Sequence, residues 1–542
     1  MLNSKLAKRA GWLLAAATVA TYFFKLGAVS FIGADEPRYA QVAREMYERG
    51  DWVTPTLGGQ TWFEKPALVY WTEIASFQLF GVSEWSARLG ILLSGLLTIA
   101  LVGWLARRVE RACGDEARGL GLACAGVSAS SAGLIVFSRA VNFDVMIMLT
   151  ITLALSCFLL AEIEAAEGRR RWLLRGFYAG MGLSLLAKGL IGVVLPIGVV
   201  GLYFLPRRKL PNVWRLAPWG LLLAAAVAAL WYGPVTWRHG WKFVDEFIIQ
   251  HHFARYTSNK YKHPQPVYFY LPILLLLVLP WTAYLVAAVW RAARRWDWRA
   301  DDATTRFRLF ALAWMIVPIG FFSLSGSKLP GYILPALPGA ALLVGDELAR
   351  YVRGEASAKA MRATGVLVLT LGVAGLGYAF ATGAVGKACA LLVAAPAFIA
   401  GAVALWRAEQ RTLAATSIVG ASLLTAFLIG VCVLESAARR ETVRELLRAA
   451  DARGYGDAPV VNLHTIERTS EFYAAERLTY EGSNPAKYEG VWQVARDARQ
   501  SSGPVLVIVP LEHLPQLTGY DLLEAEVIGD NGELALVAAR TR

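Results

Sequence analysis

Residues 412–434 read TLAATSIVGASLLTAFLIGVCVL, and this stretch decides the fold class. It contains no acidic or basic side chain, whereas Arg407 and Arg411 stand shortly before it. About twenty apolar residues in a helix are long enough to cross roughly 30 Å of hydrocarbon. Because lipid offers the backbone no hydrogen-bond partners, such a run must satisfy its own N–H and C=O groups. The stretch therefore predicts a membrane-spanning helix.

Comparable apolar runs recur along most of the 542-residue chain. Hydrophobic residues make up 56% of it and charged residues only 18%, against about a quarter charged in ordinary soluble proteins. A large soluble core would give shorter, amphipathic segments. The sequence thus predicts a polytopic α-helical membrane protein. About thirteen candidate spans lie at roughly 10–30, 83–106, 119–138, 145–161, 175–189, 190–205, 215–236, 268–290, 307–324, 331–346, 363–381, 385–405 and 412–434.

Basic side chains are concentrated in the connections that precede the first predicted span and follow every even-numbered one. They lie at 5–9, 107–111, 169–171, 207–209, 291–295, 350–353 and 407–411. Since Lys and Arg are enriched in cytoplasmic loops, the alternation predicts a cytoplasmic N-terminus. It places loops 31–82 and 237–267, the turn near 325–331 and everything from 435 outside. Membrane topology also explains the net charge of +13, so no nucleic-acid partner is expected.

The segment 435–542 changes character and predicts a small soluble α/β domain. Residues 441–453 have the spacing of an amphipathic helix, and the apolar runs at 459–463 and 504–509 have the composition of buried strands. Within 526–537, the pair Asn531-Gly532 is a strong hairpin signal. The predicted organisation is a transmembrane domain at 1–434 and an outer α/β domain at 435–542.

The five cysteines lie in or beside apolar runs and show no paired spacing: Cys113, Cys124, Cys157, Cys389 and Cys432. This pattern predicts neither a disulfide framework nor a cysteine zinc site. The N-terminal apolar run lacks a convincing small-residue cleavage site, so it is interpreted as an uncleaved first span.

The first outer loop holds two groups of charged residues: Asp35, Glu36 and Arg38, then Glu64 and Lys65. Adjacent carboxylates at a membrane edge can belong simply to the solvated boundary. The second group, however, lies beside aromatic residues at 62–63 and 70–71. Acid–base pairs among interfacial aromatics suit a site for a lipid headgroup.

Further functional candidates sort to the same outer side: Arg139, Asp144, Lys188, Lys328 and Tyr332. Arg139 and Asp144 flank the turn between the third and fourth predicted spans. Lys188 lies within the apolar LLAKGLIG, where it either marks function or snorkels to the interface. Lys328 and Tyr332 lie in SGSKLPGYILPALP, whose glycines and prolines allow a broken helix lining a cavity.

The second outer loop contains four of the six histidines, among them His251, His252 and His263. With Arg255 nearby, these imidazoles make a plausible phosphate and metal site. The loop could equally be an interfacial helix anchored by aromatic residues. No HxxxH or HExxH pattern supports the metal by spacing.

Together these residues predict a basic pocket with a few carboxylates that opens at the outer leaflet. A lipid-borne, phosphate-linked substrate fits such a pocket, and no P-loop or GxGxxG fingerprint is present for a soluble nucleotide. A flippase or transporter would also need a basic cavity. Alternating access, however, calls for charged residues facing both sides and commonly for internal repeats, which are not evident. A sensor with a ligand-binding C-terminal domain is a third reading.

At DEPRYAQVAREM, FEKP, SKLPGYILPALP and QHHFARY…HPQPVYFY the sequence resembles the GT-C glycosyltransferases that use polyprenyl-phosphate sugars. This group includes the protein O-mannosyltransferases, and the closest resemblance is to the bacterial aminoarabinose transferases of lipid A. The resemblance implies transfer of 4-amino-4-deoxy-L-arabinose from undecaprenyl phosphate to lipid A phosphate, in the inner membrane with the site facing the periplasm. It also implies resistance to polymyxin-like cationic peptides. Another polyprenyl-linked sugar, or a protein acceptor, is the alternative within this class.

Under this hypothesis the candidate residues take three roles. Asp35, Glu36 and Asp144 are the catalytic carboxylates, with Asp35 as base, as positioning group or as partner of the sugar ammonium. A divalent metal (Zn²⁺, Mg²⁺ or Mn²⁺) would be held by Glu64 with His252 or His263. Displacement is expected in a single, inverting step, because no second carboxylate is evidently placed as a covalent nucleophile. The donor phosphate and lipid would be bound by Arg38, Lys65, Arg139, Lys188, Arg255, Lys328 and Tyr332.

Overall fold

The computed structural model describes residues 4–114, 118–207, 217–254, 264–296, 298, 300, 302–383, 385–501 and 503–542. The side chains of 4–7, 217, 252–254 and 295 lie outside this description. Helices dominate the first 440 residues. They are α1 (Ser4–Phe23), α2 (Asp35–Glu48), α3 (Leu68–Phe80), α4 (Glu84–Cys113), α5 (Leu120–Ser130), α6 (Ala132–Phe137), α7 (Phe143–Ile163), α8 (Glu167–Lys188), α9 (Ile191–Phe204), α10 (Ala217–Phe243), α11 (Tyr270–Leu277), α12 (Thr282–Arg295), α13 (Ala303–Ser323), α14 (Leu337–Arg353), α15 (Lys359–Thr382), α16 (Lys387–Trp406), α17 (Arg411–Cys432) and α18 (Leu434–Arg440).

The described helices make the protein an integral membrane protein. Eight of them are long and apolar enough to cross a bilayer, or nine if α11 and α12, which meet at 120°, form one broken span. The prediction of about thirteen spans counted shorter pieces as well. The predicted span at 119–138 is divided into α5 and α6 at Ser131, and α9 has only 14 residues.

The bundle has a buried centre and a periphery exposed to lipid. In α7 and in the span Pro330–Arg353, 78% and 94% of the apolar window is buried, whereas the figure for α15 is 22%. Helix α7 packs along α4 and α8, and α14 packs on α5 and α13. Helices α7 and α8 are therefore packed tightly against their neighbours. The charged residues at the start of α7 and the end of α8 belong to this buried centre.

The first outer loop folds into two short helices joined by a small hairpin. Helix α2 begins at Asp35, followed by the hairpin of β1 (Thr56–Leu57) with β2 (Gln60–Thr61) and then by α3. The second outer loop continues α10 through a break at Gly240 into a π-helix at Val244–Ala254. A 3-10 helix at Pro330–Ala336 precedes α14, as the glycines and prolines of that turn predicted.

The C-terminal segment forms a five-stranded mixed sheet with helices on both faces. Its remaining elements are α19 (Arg444–Ala452), β3 (Val460–Leu463), α20 (Ser470–Tyr473), β4 (Tyr480–Glu481), β5 (Asn484–Pro485), β6 (Lys487–Tyr488), α21 (Val491–Gln500), β7 (Val505–Pro510), α22 (Leu514–Thr518), β8 (Leu523–Asp530) and β9 (Leu534–Thr541). The strand order is β6-β3-β7-β9-β8. Alternate residues of β3 and β7 face α21 and α19, so the sheet separates two small cores. The predicted helix, both predicted strands and the hairpin at Asn531-Gly532 are confirmed.

The C-terminal unit is joined to the membrane helices by polar contacts. Arg444 donates to Glu84 Oε1 at 2.9 Å, and the Tyr473 hydroxyl donates to the same oxygen at 3.1 Å. The Tyr473 oxygen also accepts the Phe31 N–H at 2.7 Å. At the hairpin, a Cβ on Gly58 would lie 2.5 Å from the Tyr480 ring, and Gly58 has φ +60°. Only glycine fits this turn beneath the ring without strain.

The expectation of no disulfide is wrong at one pair. Cys389, near the start of α16, is bonded to Cys432 at the end of α17, with Cα atoms 5.7 Å apart. The two residues are 43 positions apart and meet only because α16 and α17 form an antiparallel hairpin. The other three cysteines are free.

The disulfide leads to a chemical prediction. The unreduced, denatured protein should take up three alkyl groups from iodoacetamide, and the reduced protein five, as measured by intact mass. Cys389→Ser should free Cys432 and leave four reactive thiols without reduction. Five alkylated thiols in unreduced protein purified without reductant would contradict the pairing.

Candidate functional site

One cavity, about 90 Å³ in volume, gathers several of the predicted residues near the start of α7 and the end of α8. Its apolar wall includes Ile191, Phe321 and Phe322. Its polar wall consists of Glu64, Lys65, Lys188, His251, Ser325 and Tyr332. These residues come from four separate segments of the chain. The two ammonium groups make this pocket suitable for an anionic group, and the aromatic wall suits an apolar neighbour of that group.

Lys188 is held in the cavity by partners from two other segments. It is the last residue of α8, and its ammonium is ion-paired with Asp144 in the first turn of α7. The same ammonium lies 4.7 Å from the centre of the Tyr332 ring. A Cβ on Gly331 would lie 2.6 Å from Asp144 Oδ2, so glycine permits the 3-10 helix to approach the carboxylate. Lys188 is thus an anchored charge and not a snorkelling lysine.

Glu64 and Lys65 form a second charged pair on the opposite wall. The Lys65 ammonium donates to Glu64 Oε1 at 2.7 Å and lies 6.0 Å from the Tyr39 ring centre. Both side chains are mostly buried. Because the Lys65 ammonium contacts the Glu64 carboxylate, the two charges nearly cancel in the absence of a ligand. An anion entering the cavity would meet an ammonium that is already oriented.

Tyr70 is a residue that the sequence analysis did not single out. Its hydroxyl is fully buried and has no hydrogen-bond partner among the described residues. Burial raises the pKa of Tyr70 well above its ordinary value, and the nearby Glu64 and Glu73 raise it further. Arg38 lowers it and Asp35 raises it slightly, so the hydroxyl stands within reach of charges from both groups of the first loop. It remains a neutral donor at physiological pH.

Arg38 connects the first loop to the C-terminal unit. Its guanidinium lies 5.6 Å from the Trp62 ring centre, and its Nε is 3.8 Å from Glu471 Oε2. Glu471 is completely buried and also accepts from Arg468 at 2.7 Å. Burial raises the pKa of Glu471, whereas Arg38 and Arg468 lower it. Asp35, whose side chain is 59% exposed, faces the other side of Arg38 at 3.8 Å.

Glu36 lies apart from the cavity, in a buried ion pair. Arg88 of α4 donates to both of its oxygens, at 2.7 and 2.9 Å, and the Val141 N–H donates at 2.9 Å. Arg88 also donates to the backbone carbonyls of residues 26, 29 and 30. Through these contacts the Glu36 carboxylate positions α2, and its catalytic role stays a prediction. Arg88, a charge within an apolar run, was the sequence signal for such a partner.

Two other cationic side chains that were predicted to bind substrate donate hydrogen bonds to backbone carbonyls. Arg139 donates to the carbonyls of Thr21, Tyr22 and Phe24, at 2.7 to 2.9 Å, and so caps the end of α1. These contacts give Arg139 a structural role, and its contact with substrate stays a prediction. Lys328 is buried and donates to Ser325 at 2.6 Å and to Gln265 at 3.0 Å. Since Ser325 lines the cavity, Lys328 fixes the rim of the pocket.

The described residues do not test the metal prediction. Glu64 and His251 line the same cavity, but no group of three His, Cys, Asp or Glu side chains there could hold a metal. Arg255, His263 and the side chain of His252 lie outside the described residues. The metal therefore stays a prediction, with Glu64 and an imidazole of this loop as its donors.

Comparison with known proteins connects this site to a family. The family model described as dolichyl-phosphate-mannose-protein mannosyltransferase matches residues 14–296, which include α2, α4, α7 and α8. The chain belongs to this family. The match covers the first outer loop, with Asp35, Glu64 and Lys65, and the ion pair between Asp144 and Lys188.

Curated relatives of the family include the undecaprenyl phosphate-alpha-4-amino-4-deoxy-L-arabinose arabinosyl transferases. The one numbered 2 from Sodalis glossinidius is 33% identical over 357 residues, covering 65% of this chain and 61% of that protein. The one from Edwardsiella ictaluri is 31% identical over 407 residues, covering 73% and 67%. The chain thus spans about three fifths of the length of most such relatives.

The fold extends the likeness beyond these alignments. The crystal structure of ArnT from Cupriavidus metallidurans bound to undecaprenyl phosphate superposes with a TM-score of 0.78 at 25% identity. The superposition covers 97% of this chain and 98% of that one. The C-terminal unit is therefore included in the shared architecture, although its sequence carries little of the resemblance.

The ion pair of Glu36 with Arg88 yields a stability prediction. Glu36→Gln leaves the Arg88 guanidinium buried without its counter-charge, and breaking such a pair costs about 3–5 kcal/mol. The variant should unfold at a lower temperature in detergent. Glu48→Gln is the matched control, because Glu48 lies on the same helix in a half-exposed pair with Arg44 at 2.7 Å. Such pairs contribute at most about 0.5 kcal/mol. Equal melting temperatures for the two variants would show that the ion pair of Glu36 with Arg88 does not stabilise the fold.

Proposed function

We propose that this protein transfers 4-amino-4-deoxy-L-arabinose from undecaprenyl phosphate to a phosphate of lipid A. The observation that carries the proposal is the single cavity in which Lys65, Lys188, Glu64 and Tyr332 meet. Family membership supports a polyprenyl-phosphate sugar as donor. The names of the curated relatives support this sugar, and a structural relative binds undecaprenyl phosphate.

In the proposed reaction, a lipid A phosphate oxygen attacks the anomeric carbon while the bond from that carbon to the donor phosphate breaks. Undecaprenyl phosphate leaves with the electron pair, so negative charge grows on its oxygens. Fixed positive charge is the most effective aid to such a step. Lys65 and Lys188 supply it from opposite walls, and their partners Glu64 and Asp144 orient them. A divalent metal held by Glu64 and an imidazole would supply further charge neutralisation there.

The acceptor requires little proton transfer. A phosphate monoester has a second pKa of about 6, so it is largely ionised at neutral pH. Asp35 is the exposed carboxylate at the start of α2 and is available to position the acceptor or to pair with the sugar ammonium. The buried Tyr70 hydroxyl is a further neutral donor of the first loop. One displacement step inverts the anomeric centre, since no carboxylate is assigned as a covalent nucleophile.

We further propose that the cavity faces the periplasm and that 435–542 is a soluble periplasmic domain. The basic clusters at 107–111 and 169–171 lie in the last turns of α4 and the first turn of α8, at the helix ends away from the cavity, as expected for a cytoplasmic face. The Cys389–Cys432 disulfide lies at the ends that the same alternation assigns outside. Disulfides persist in the oxidising periplasm.

The activity is tested by mass spectrometry of lipid A. Cells without the gene should lack aminoarabinose on lipid A, and the wild-type gene should restore it. Lys65→Met and Lys188→Met each remove one charge-assisted contact, so transfer in isolated membranes should fall about ten- to a hundredfold. Lys242→Met is the matched control: this exposed lysine does not line the cavity, and within the described part of the chain it donates to the Thr61 hydroxyl at 2.9 Å. Lipid A that is unchanged by deletion would refute the acceptor, and a different added sugar would refute the donor.

The orientation is tested by labelling introduced cysteines. In a background with Cys113, Cys124 and Cys157 replaced by serine, spheroplasts carrying Ser501→Cys should react with a membrane-impermeant maleimide. Those carrying Ala300→Cys, in the connection between α12 and α13, should react only after the membrane is permeabilised. Labelling of Ala300→Cys in intact spheroplasts would invert the proposed topology.

A further inference from the structure

A second cavity lies at the far end of the membrane helices. It has a volume of about 590 Å³ and lies between the end of α4, the end of α7 and the start of α8. Helix α7 has 21 residues and is therefore about 30 Å long. Asp144 stands at one end of it and this cavity at the other, so about one bilayer thickness separates the cavity from the candidate active site.

Three arginines line this second cavity: Arg108, Arg111 and Arg169. Among the described residues, Arg108 and Arg111 are exposed and have no carboxylate or carbonyl partner. Arg169 lies 3.6 Å from Glu164, the acidic member of the lining, and Glu164 also accepts the Ala166 N–H. The cavity thus keeps a net positive charge with at least two guanidinium groups ready to donate.

Several arginines elsewhere in the bundle are paired with carboxylates. Arg291 is ion-paired with Asp346 and, at 2.6 Å, with Glu347. Arg308 pairs with Asp346 at 2.9 Å, and Arg350 pairs with Glu347 at 3.3 Å. The bundle therefore supplies carboxylates to arginines that have a structural task. Among the residues that the structure describes, it supplies none to Arg108 and Arg111, so their charge is open to a ligand.

The rest of the lining is apolar and aromatic. Leu160, Ile163 and Leu173 form one wall, and Trp104 and Trp172 are exposed on it. Tryptophan is enriched at the level of lipid headgroups. A pocket with guanidinium groups at the membrane surface and an apolar wall running into the bilayer matches a lipid with a negative headgroup.

We propose that this cavity binds an anionic phospholipid of the surrounding leaflet. Its headgroup phosphate lies between Arg108, Arg111 and Arg169, and an acyl chain follows the wall at Leu160 and Leu173. A soluble phosphate could use the same guanidinium groups, but it would leave the apolar wall and the exposed tryptophans without a role. The proposal concerns the face opposite the active site and does not depend on the identity of the transferred sugar.

The test is native mass spectrometry of the full-length protein with phosphatidylglycerol or phosphatidylcholine. The wild type should retain phosphatidylglycerol in preference. An arginine near a membrane surface contributes about a fivefold change in affinity. Arg108→Gln and Arg111→Gln should each weaken retention about fivefold, and the double variant about thirtyfold. Arg108→Lys/Arg111→Lys keeps both charges and should retain most of the binding.

Matched controls separate this pocket from the general basicity of the face. Arg107→Gln/Arg294→Gln removes two exposed arginines near the same helix ends that do not line the cavity, and it should leave retention unchanged. Equal loss in both double variants would overturn the proposal, as would equal retention of the two lipids by the wild type. Displacement of the lipid by millimolar glycerol 3-phosphate would assign the cavity to a soluble anion instead.

Discussion

Glu36 and Arg88 form a buried, bidentate ion pair where the first outer loop meets α4, and three helices take their positions from it. The pair itself joins α2 to α4. The Val141 N–H, which also donates to Glu36, brings in the turn before α7. Burying two charges is costly unless every polar atom is satisfied. Arg88 meets that condition by donating to three carbonyls of the chain that leaves α1.

The candidate site inherits its geometry from this contact. Helix α2 carries Asp35 and Arg38 toward the C-terminal unit, and α7 carries Asp144 toward Lys188. From the C-terminal unit, Glu471 contacts Arg38, and the Tyr480 ring packs on the hairpin at Gly58. Residues more than 400 positions apart thus share one buried charged region. A change in the C-terminal unit can alter the surroundings of Arg38 without touching the cavity.

The sequence predicted the local structure well where one physical pattern dominates. Long apolar runs became the long helices, including residues 145–161 within α7, and the short apolar runs at 459–463 and 504–509 became the strands at 460–463 and 505–510. It was less successful where length is marginal. The run at 119–138 looks like one span, but the backbone is extended at Ser131, and the Ala132 N–H donates to the Leu279 carbonyl at 2.9 Å instead of within the helix. The pairing of Cys389 with Cys432 was likewise invisible, since it depends on how two helices dock.

Hydropathy in the sequence established that this chain crosses a membrane repeatedly, and the charges of Glu64, Lys65 and Lys188 beside apolar segments marked them as candidates; the side that each loop faces stays a prediction. Hydropathy and the distribution of arginine are local properties of the sequence, so they can be analysed without knowledge of the fold. Only the tertiary structure decided which charges meet. It joined Lys188 to Asp144 and Tyr332, gave Glu36 and Arg139 structural partners, and added Tyr70 and Glu471. Helix packing determines which charged residues, often far apart in the sequence, become partners. The residues next to each charge do not indicate that partner.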